Sequence, residues 1–401
     1  MTFISDPINF IAQWLTSLLE SLGSTPQLAN LILIVVGSGV LATGAMLWVV
    51  FLIWYERKVI GRIQDRLGPN RVGPWGIFQT FADLVKIFTK EYITPEGADR
   101  VLYNIAPVLA VAAVLLIWVV VPFTVTVYGV DLNVGALFVT AVAGLGELAI
   151  IMAGWSSNNK YALLGAFRVV AQLISYEVPM VLALLVPVLL AGSMSLNAIV
   201  KAQNVWYIFT APLAAIIYII TSIAEVGRSP FDLVESESEI VAGFNIEYSG
   251  LKFGMFYVAE FLHAFTSALI FAVLFLGGWR GPGAEQYPIL GFIYFFIKSF
   301  LAYFVFVLVR GSLPRFRIDQ MMDVNWKVLT PMSLGLLSVE ALVAKLVEGS
   351  PSALVRGLAL LIANLLVLVL SSYIMGLFAS SRRRKSDEMA ERQKLRVRSQ
   401  A

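Results

Sequence analysis

The stretch ANLILIVVGSGVLATGAMLWVVFLIW, residues 29–54, contains no charged side chain. An α-helix rises about 1.5 Å per residue and the hydrocarbon core of a bilayer is about 30 Å thick, so roughly 20 apolar residues cross it. Residues 29–54 are therefore predicted to form a transmembrane helix. Over all 401 residues, 59% are hydrophobic and 14% are charged. Because so few charges cannot cover the surface of a soluble protein, we expect a polytopic membrane protein.

Further apolar runs of similar length predict the rest of the fold. The fold class is an all-α bundle of about nine transmembrane helices, at residues 29–54, 101–121, 134–155, 169–191, 204–224, 253–277, 288–309, 326–347 and 357–379. Residues 3–20 are shorter and more polar, which is typical of an amphipathic helix at the membrane surface. Segment 76–91 is a second surface helix, whose predicted apolar face consists of Phe78, Phe81, Leu84, Val85 and Phe88.

Basic residues predict the orientation of the bundle. One alternating set of loops and ends holds 24 Lys and Arg residues, whereas the other set holds four. Positively charged loops stay in the cytoplasm, so we expect the N-terminus outside and the C-terminus inside. The chain then divides into an N-terminal segment (1–28), a main bundle (29–347), an additional C-terminal helix (348–379) and a basic cytoplasmic tail (380–401).

Metal and haem ligands are scarce in this sequence. It has no cysteine and one histidine, His263, which excludes disulfides, thiolate-bound zinc, cysteine-ligated iron–sulfur clusters and bis-histidine haem. We therefore expect no metal site and no covalently bound cofactor, so that any electron chemistry belongs to a partner or a diffusible substrate. There is no Walker loop or dinucleotide fingerprint, and no nucleic-acid partner is expected.

Six ionisable residues lie within the predicted spans. Each uncompensated charge would cost at least about 2.5–3.5 kcal/mol in mid-membrane, so these side chains should face the bundle interior or internal water. Together they predict a polar path for protons that starts at the cytoplasmic side, although any single acid could instead be a neutral packing residue. His263 is interpreted as a buried, hydrogen-bonding imidazole. The six residues are Glu147, Glu177, Glu260, His263, Lys298 and Glu340.

The loop PFDLVESESEIVAGFNIEYSG, residues 230–250, carries five carboxylates and no basic side chain. It lacks the 12-residue pattern of a calcium loop. A solvated acidic face is the default interpretation of such a run, but the interspersed apolar residues predict that the loop folds against the bundle. Crowded, partly buried carboxylates share protons, so we favour a proton-transfer role with Arg228 and the arginines of the first inside loop as counter-charges.

Four long motifs resemble one family. They are ERKVIGRIQDRLGPNRVGPWGIFQTFADLVKIFTKE (56–91), GWSSNNKYALLGAFRVVAQLISYEVP (154–179), AEVGRSPFDLVESESEIVAGFNIEYSG (224–250) and RGSLPRFRIDQMM (310–322). In this order they are similar to the family of quinone-chamber membrane subunits of bacterial proton-translocating NADH:quinone oxidoreductase, respiratory complex I. The resemblance extends from about residue 29 to 347. Membrane anchor subunits of membrane-bound hydrogenases match these motifs less fully.

The resemblance implies a shared rather than a complete active site. It implies a subunit of the bacterial inner membrane that joins the membrane arm to the peripheral arm and builds much of a chamber for quinone, either ubiquinone or menaquinone. Electrons would come from the terminal iron–sulfur cluster of a neighbouring subunit. The implied partners are the peripheral-arm iron–sulfur and quinone-site subunits, the other membrane-arm subunits and the lipid bilayer.

The resemblance also implies roles for individual residues, none of them catalytic. Carried over position by position, the quinone chamber comprises Glu56, Arg57, Arg66, Arg71, Asp83, Glu225, Arg228, Phe231, Asp232 and Glu235. The proton path comprises Glu237, Glu239, Glu247, Glu260, Glu177 and Glu147, to which the span analysis adds Lys298 and Glu340.

Two alternatives remain open at this point. The chain could be the anchor subunit of a related hydrogenase or of a dehydrogenase with another donor. It could also be a stand-alone proton-coupled transporter, which predicts internal repeats and paired broken helices, and the sequence indicates neither. Residues 352–401 depart from the family pattern. Because the last predicted span has no charge between 357 and 379, an anchoring role is expected for it.

Overall fold

The computed structural model describes residues 7–21, 24–232, 241–347, 355–373 and 376, and within these ranges it is helical without a β-strand. The predicted all-α class is confirmed. The helices are α1 (Pro7–Ser21), α2 (Pro26–Ile63), α3 (Gln79–Thr89), α4 (Arg100–Trp118), α5 (Gly135–Ser156), α6 (Lys160–Ala191), α7 (Leu196–Ala202), α8 (Tyr207–Thr210), α9 (Pro212–Glu225), α10 (Gly250–Phe275), α11 (Pro288–Ser312), α12 (Ile318–Val324), α13 (Thr330–Val347) and α14 (Val355–Tyr373).

Eight helices of the described ranges are long and apolar enough to cross a membrane. They are α2, α4, α5, α6, α10, α11, the continuous helix Ile318–Val347 and α14, so the chain is a multi-pass membrane protein. Several begin or end beyond the predicted limits. Helix α6 starts at Lys160 because the side chain of Asn159 accepts a hydrogen bond from the Tyr161 N–H and caps the helix.

The predicted span 204–224 is not one continuous helix, and this part of the prediction was wrong. The chain leaves helical geometry at Ala211, where φ is −131° and ψ is 58°, between α8 and α9. Pro212 follows at the first position of α9 and has no N–H to continue the α8 ladder. With 14 residues, α9 is about 21 Å long, shorter than the hydrocarbon core.

Loops that are far apart in the sequence contact each other at the ends of the bundle. At one end, which we call the basic end, Asp99 N–H donates to the Ser156 carbonyl (3.0 Å) and Phe316 N–H to the Pro230 carbonyl (2.9 Å). At the opposite end, Arg280 Nη1 donates to the Lys201 carbonyl at 3.0 Å. Helix α10 runs through the centre and is buried along most of its length.

Two prolines inside helices leave carbonyl groups that distant side chains satisfy. Pro107 cannot donate to the Tyr103 carbonyl, which accepts instead from Tyr248 Oη at 3.3 Å. Burial raises the pKa of Tyr248 to about 12, so its phenol stays a donor at neutral pH. Pro179 likewise frees the Ser175 carbonyl, which accepts from Asn325 Nδ2. Asn325 begins a π-helical segment between α12 and α13, so the two irregular turns pair with each other.

Candidate functional site

A buried ionic cluster lies at the basic end, around Glu56 of α2. Arg228 Nη1 and Arg310 Nη1 donate to separate carboxylate oxygens of Glu56, and Tyr303 Oη donates to one of them at 2.9 Å. Glu56 is 2% exposed and Arg228 is 4% exposed. Two arginines around one carboxylate leave one positive charge to be balanced. We call Glu56, Arg228, Arg310, Tyr303 and Glu260 the Glu56 cluster.

Glu260 of α10 supplies the balancing charge. Its Oε1 lies 3.4 Å from Arg228 Nε, and the guanidinium also lies 4.3 Å from the ring centre of Phe261. The cluster thus contains two acids and two guanidinium groups. A buried ionic group is stable only when its charge is compensated, so each member of this cluster constrains the others.

A cavity of about 100 Å³ continues from Glu260 into the bundle. Such a volume holds several water molecules. Its walls come from α4, α5, α6, α10 and the end of α9, and its polar members include Glu147, Glu225, Asn245, Glu260 and His263. We call it the carboxylate cavity. Glu260 belongs both to the Glu56 cluster and to this cavity, which joins the two sites.

The polar lining extends past Glu225 toward the middle of the bundle. His263 Nε2 lies 3.7 Å from Glu225 Oε1, and both side chains also line a smaller cavity that reaches Thr140, Ser267 and other residues farther along α10 and α5. Glu177 lies near enough to Glu147 and Glu225 to interact with them electrostatically. Three predicted path residues, Glu147, Glu177 and Glu260, are therefore neighbours of one another and of Glu225, which was predicted as a chamber residue.

The first inside loop carries its arginines on the surface next to the cluster. Arg57 forms an ion pair with Asp83 of α3. Arg57, Arg66 and Arg71 line an open groove with residues 67–70 and Gln79. The predicted apolar face of α3 is solvent-exposed in the isolated chain, with Phe78 54% and Phe88 62% exposed. Helix α3 thus presents this face to lipid or to a further subunit.

The turn that carries Glu225 and Arg228 is fixed by Gln172, a fully buried residue of α6. Its Nε2 donates to the Ala224 carbonyl at 2.6 Å and to the Phe231 carbonyl at 2.8 Å. The two bonds hold both ends of the turn. Phe231 itself packs on the rings of Tyr176 and Phe316, with centroid distances of 5.3 Å and 5.7 Å.

Other predicted site residues lie apart from the carboxylate cavity. Glu247 accepts from Asn159 Nδ2 at 2.7 Å and thereby faces the start of α6. Asp232 is partly exposed beside Phe231. Lys298 lies at the opposite end, where its Nζ donates to the Gly278 and Arg280 carbonyls at 2.9 Å and 2.7 Å. Glu340 is fully buried on α13 and contacts Asn364 of α14.

Three predicted site residues, Glu235, Glu237 and Glu239, lie outside the described residues. In the ranges that are described, no group of three His, Asp or Glu side chains is arranged to hold a metal ion.

Sequence reasoning missed Arg310, Tyr303 and Gln172 as parts of the site. Arg310 lies in a quoted motif, and its position at the end of a span next to a buried acid could have indicated a counter-charge. Tyr303 and Gln172 give no such signal, because an isolated Tyr or Gln within an apolar helix is compatible with many hydrogen-bonding roles.

Comparisons with known proteins show the family to which this chain belongs. The sequence model of the NADH dehydrogenase family matches residues 36–341. An NADH-quinone oxidoreductase subunit from Dehalococcoides mccartyi (strain CBDB1) is 46% identical over 326 residues, which are 81% of this chain and 91% of that protein. The equally named protein from Geobacillus sp. (strain WCH70) is 44% identical over 330 residues, 82% of this chain and 98% of its own length. This chain therefore belongs to the NADH dehydrogenase family.

Proposed function

We propose that this chain is the membrane subunit of a proton-translocating NADH:quinone oxidoreductase that lines the quinone chamber and couples quinone reduction to proton movement. The observation that carries the proposal is the continuity of the Glu56 cluster with the carboxylate cavity through Glu260. An ionic cluster at the basic end is suited to a site where a reduced quinone takes up protons. The adjoining acids provide a route from that site into the bundle.

Glu260 is the residue through which the two sites communicate. While Arg228 lies against Glu260, the positive guanidinium stabilises a negative carboxylate there. A charge that develops near the Glu56 cluster during quinone reduction draws Arg228 toward it and weakens this contact. Glu260, released from this contact, can then exchange a proton with the neighbouring acids Glu147, Glu177 and Glu225 across the carboxylate cavity. The electrons are proposed to come from a partner's iron–sulfur cluster, since this sequence has no cysteine that could ligate such a cluster.

The chain is proposed to act within a multi-subunit complex of the bacterial inner membrane. The exposed groove of Arg57, Arg66 and Arg71 would face the peripheral-arm subunits, and the apolar face of α3 would border the opening through which ubiquinone or menaquinone enters from lipid. The remaining membrane-arm subunits would contact the lateral faces of the bundle. No single chain of such a complex completes the reaction.

Purification and an acceptor comparison test this proposal. We expect the wild-type chain to copurify with iron–sulfur subunits that together reduce quinone with NADH. Asp232→Asn, at a predicted chamber position four residues after Arg228, should lower quinone reduction about tenfold while reduction of a water-soluble artificial acceptor by the same complex stays near wild type. Equal loss of both activities in a normally assembled complex would show that Asp232 is not part of the quinone chamber.

Glu177→Gln and Glu260→Gln are each expected to lower proton pumping by about tenfold or more without preventing assembly. Glutamine has nearly the same volume and hydrogen-bonds, but it cannot carry a proton. Proton uptake by inverted membrane vesicles, divided by NADH oxidised, measures the effect. Glu285→Gln is the matched control, because Glu285 is exposed at the opposite end. Wild-type pumping in both the Glu177→Gln and the Glu260→Gln complex would show that these two acids have only a packing role.

A stand-alone proton-coupled transporter is the second candidate, and the break between α8 and α9 favours it because transporters use broken helices at their sites. The copurification experiment separates the two functions. An isolated chain that moves protons in reconstituted vesicles without iron–sulfur partners would support transport.

A further inference from the structure

Helix α14 lies beyond the family match, which ends at residue 341, yet it contributes a buried polar side chain to the bundle. Asn364 is 1% exposed. The rest of the described helix between 357 and 373 has no charged residue, so hydrophobic packing alone would have sufficed to anchor it. A buried amide in a membrane helix is stable only if its hydrogen bonds are made.

Asn364 fills the break between α8 and α9. Its Nδ2 donates to the Thr210 carbonyl at 3.2 Å, and its Oδ1 accepts from the Leu213 N–H at 3.3 Å. In a continuous helix the Thr210 carbonyl would accept from residue 214, and the Leu213 N–H would donate to residue 209. The amide of Asn364 therefore replaces bonds that the break removes, on the two sides of Ala211.

The same amide also contacts Glu340 of α13. Asn364 Nδ2 donates to Glu340 Oε1 and lies 2.9 Å from the Leu360 carbonyl of its own helix. Glu340 is fully buried, and its other oxygen, Oε2, has no hydrogen-bond partner among the described residues. The Leu213 N–H fixes the orientation of the amide, because only Oδ1 can accept from it. The nitrogen of the amide is thereby directed to Thr210 and Glu340.

Helix α9 connects this contact to the carboxylate cavity. It begins beside Asn364 and ends about 21 Å away at Glu225, which lines the cavity. At its far end α9 is held by Gln172 through the Ala224 carbonyl at 2.6 Å. The rotation and height of α9, and hence the position of Glu225, are set by contacts at both ends.

We propose that Asn364 is a positioning residue, through which helix α14 fixes the start of α9, the side chain of Glu340 and, by way of α9, the carboxylate of Glu225. This inference rests on the proposed function only for its effect on pumping. It assigns to α14 more than the anchoring role that its lack of charge predicts.

Hydrogen–deuterium exchange in the intact complex tests the contact directly. Asn364→Leu keeps the size of the side chain but removes the amide, so exchange of a peptide covering residues 207–220 should become at least about fivefold faster. Asn364→Gln retains the whole amide, with an oxygen that can accept from the Leu213 N–H and a nitrogen that can donate, and should restore most of the protection. Leu366→Ala is the control on the same helix, because Leu366 is 57% exposed and should leave exchange at 207–220 unchanged.

Proton pumping per NADH oxidised is the second measurement. Asn364→Leu should lower this ratio at least about twofold per assembled complex, whereas Leu366→Ala should not. Assembly of Asn364→Gln without assembly of Asn364→Leu would also support the proposal, as rescue by the variant that keeps the amide. If neither variant assembles, the same exchange measurement on an Asn364→Ser complex decides the proposal.

Unchanged exchange at 207–220 in the assembled Asn364→Leu complex would overturn the inference, as would an equal effect of Leu366→Ala. A loss of protection together with an unchanged pumping ratio would overturn the link to Glu225. A wild-type complex that lacks NADH:quinone reductase activity would instead refute the proposed function, and the exchange result would still decide the contact.

Discussion

Glu56→Gln is expected to lower quinone reduction by about 100-fold or more per assembled complex. The substitution removes the carboxylate to which Arg228 and Arg310 both donate, and leaves Glu260 as the remaining acid among the described members of the Glu56 cluster. Removing one partner of a buried ion pair typically costs about 3–5 kcal/mol. Arg228 should then move toward Glu260 and strengthen the contact between them. NADH oxidation with a quinone analogue, normalised to the amount of complex, measures the loss.

The matched control for this prediction is Glu96→Gln, a loss of one negative charge at an exposed position of the same end. It should retain near wild-type turnover, because a solvated carboxylate contributes little to the field inside the bundle. Glu56→Asp is a second comparison, since it keeps the charge but shortens the side chain. Full activity in an assembled Glu56→Gln complex would show that the Glu56 cluster has no part in quinone reduction.

Gly146→Leu is expected to reduce proton pumping by about tenfold or more, and turnover with it if the two are tightly coupled. Gly146 lines the carboxylate cavity, and a Cβ built there meets no atom within 4 Å. A Cβ therefore fits there without a clash, and we expect the rest of a leucine side chain to extend into the cavity and exclude water from between Glu147 and Glu260. Proton uptake by inverted vesicles and NADH oxidation, measured on the same preparation, report both effects.

Gly144→Leu provides a close control on the same helix. A Cβ at Gly144 also meets no atom within 4 Å, but Gly144 does not line the carboxylate cavity. Both substitutions replace glycine by the same good helix former, so helix propensity changes equally. Equal pumping in the two variants would mean that water in the cavity is not on the proton route.

The sequence predicted the fold class and much of the site because both depend on charge in an apolar background. A long uncharged run can only be stable in lipid, and an acid within such a run must find a polar neighbour. This reasoning correctly brought Glu147, Glu177 and Glu260 into one interior. The same reasoning could not distinguish Lys298 from these acids. Its burial is just as costly, but its ammonium group is stabilised by donating to carbonyl groups at the opposite end of the bundle.

The break at Ala211 and the role of Gln172 could not be predicted, for a different reason. Hydropathy is summed over a window, and neither Pro212 nor the residues around it interrupt the apolar run. The backbone groups released there are satisfied by Asn364, more than 150 positions along the chain. Likewise, the side chain of Gln172 donates hydrogen bonds to the carbonyl groups of residues 224 and 231. Such partners are determined by tertiary contacts, which a single sequence read along its length does not contain.

The side chains that bond to backbone groups at the kinks and breaks are synthesised much later than those backbone groups. Their order in the chain therefore sets the order in which these hydrogen bonds can form. The Tyr103 carbonyl pairs with Tyr248, the Ser175 carbonyl with Asn325 and the Leu213 N–H with Asn364, separations of 145, 150 and 151 residues. At about 5–20 residues per second, a ribosome needs roughly 10–30 s to make such a stretch. During that interval these three backbone groups lack the partners that they have in the folded chain, and the Leu213 N–H gains its partner only when α14 emerges.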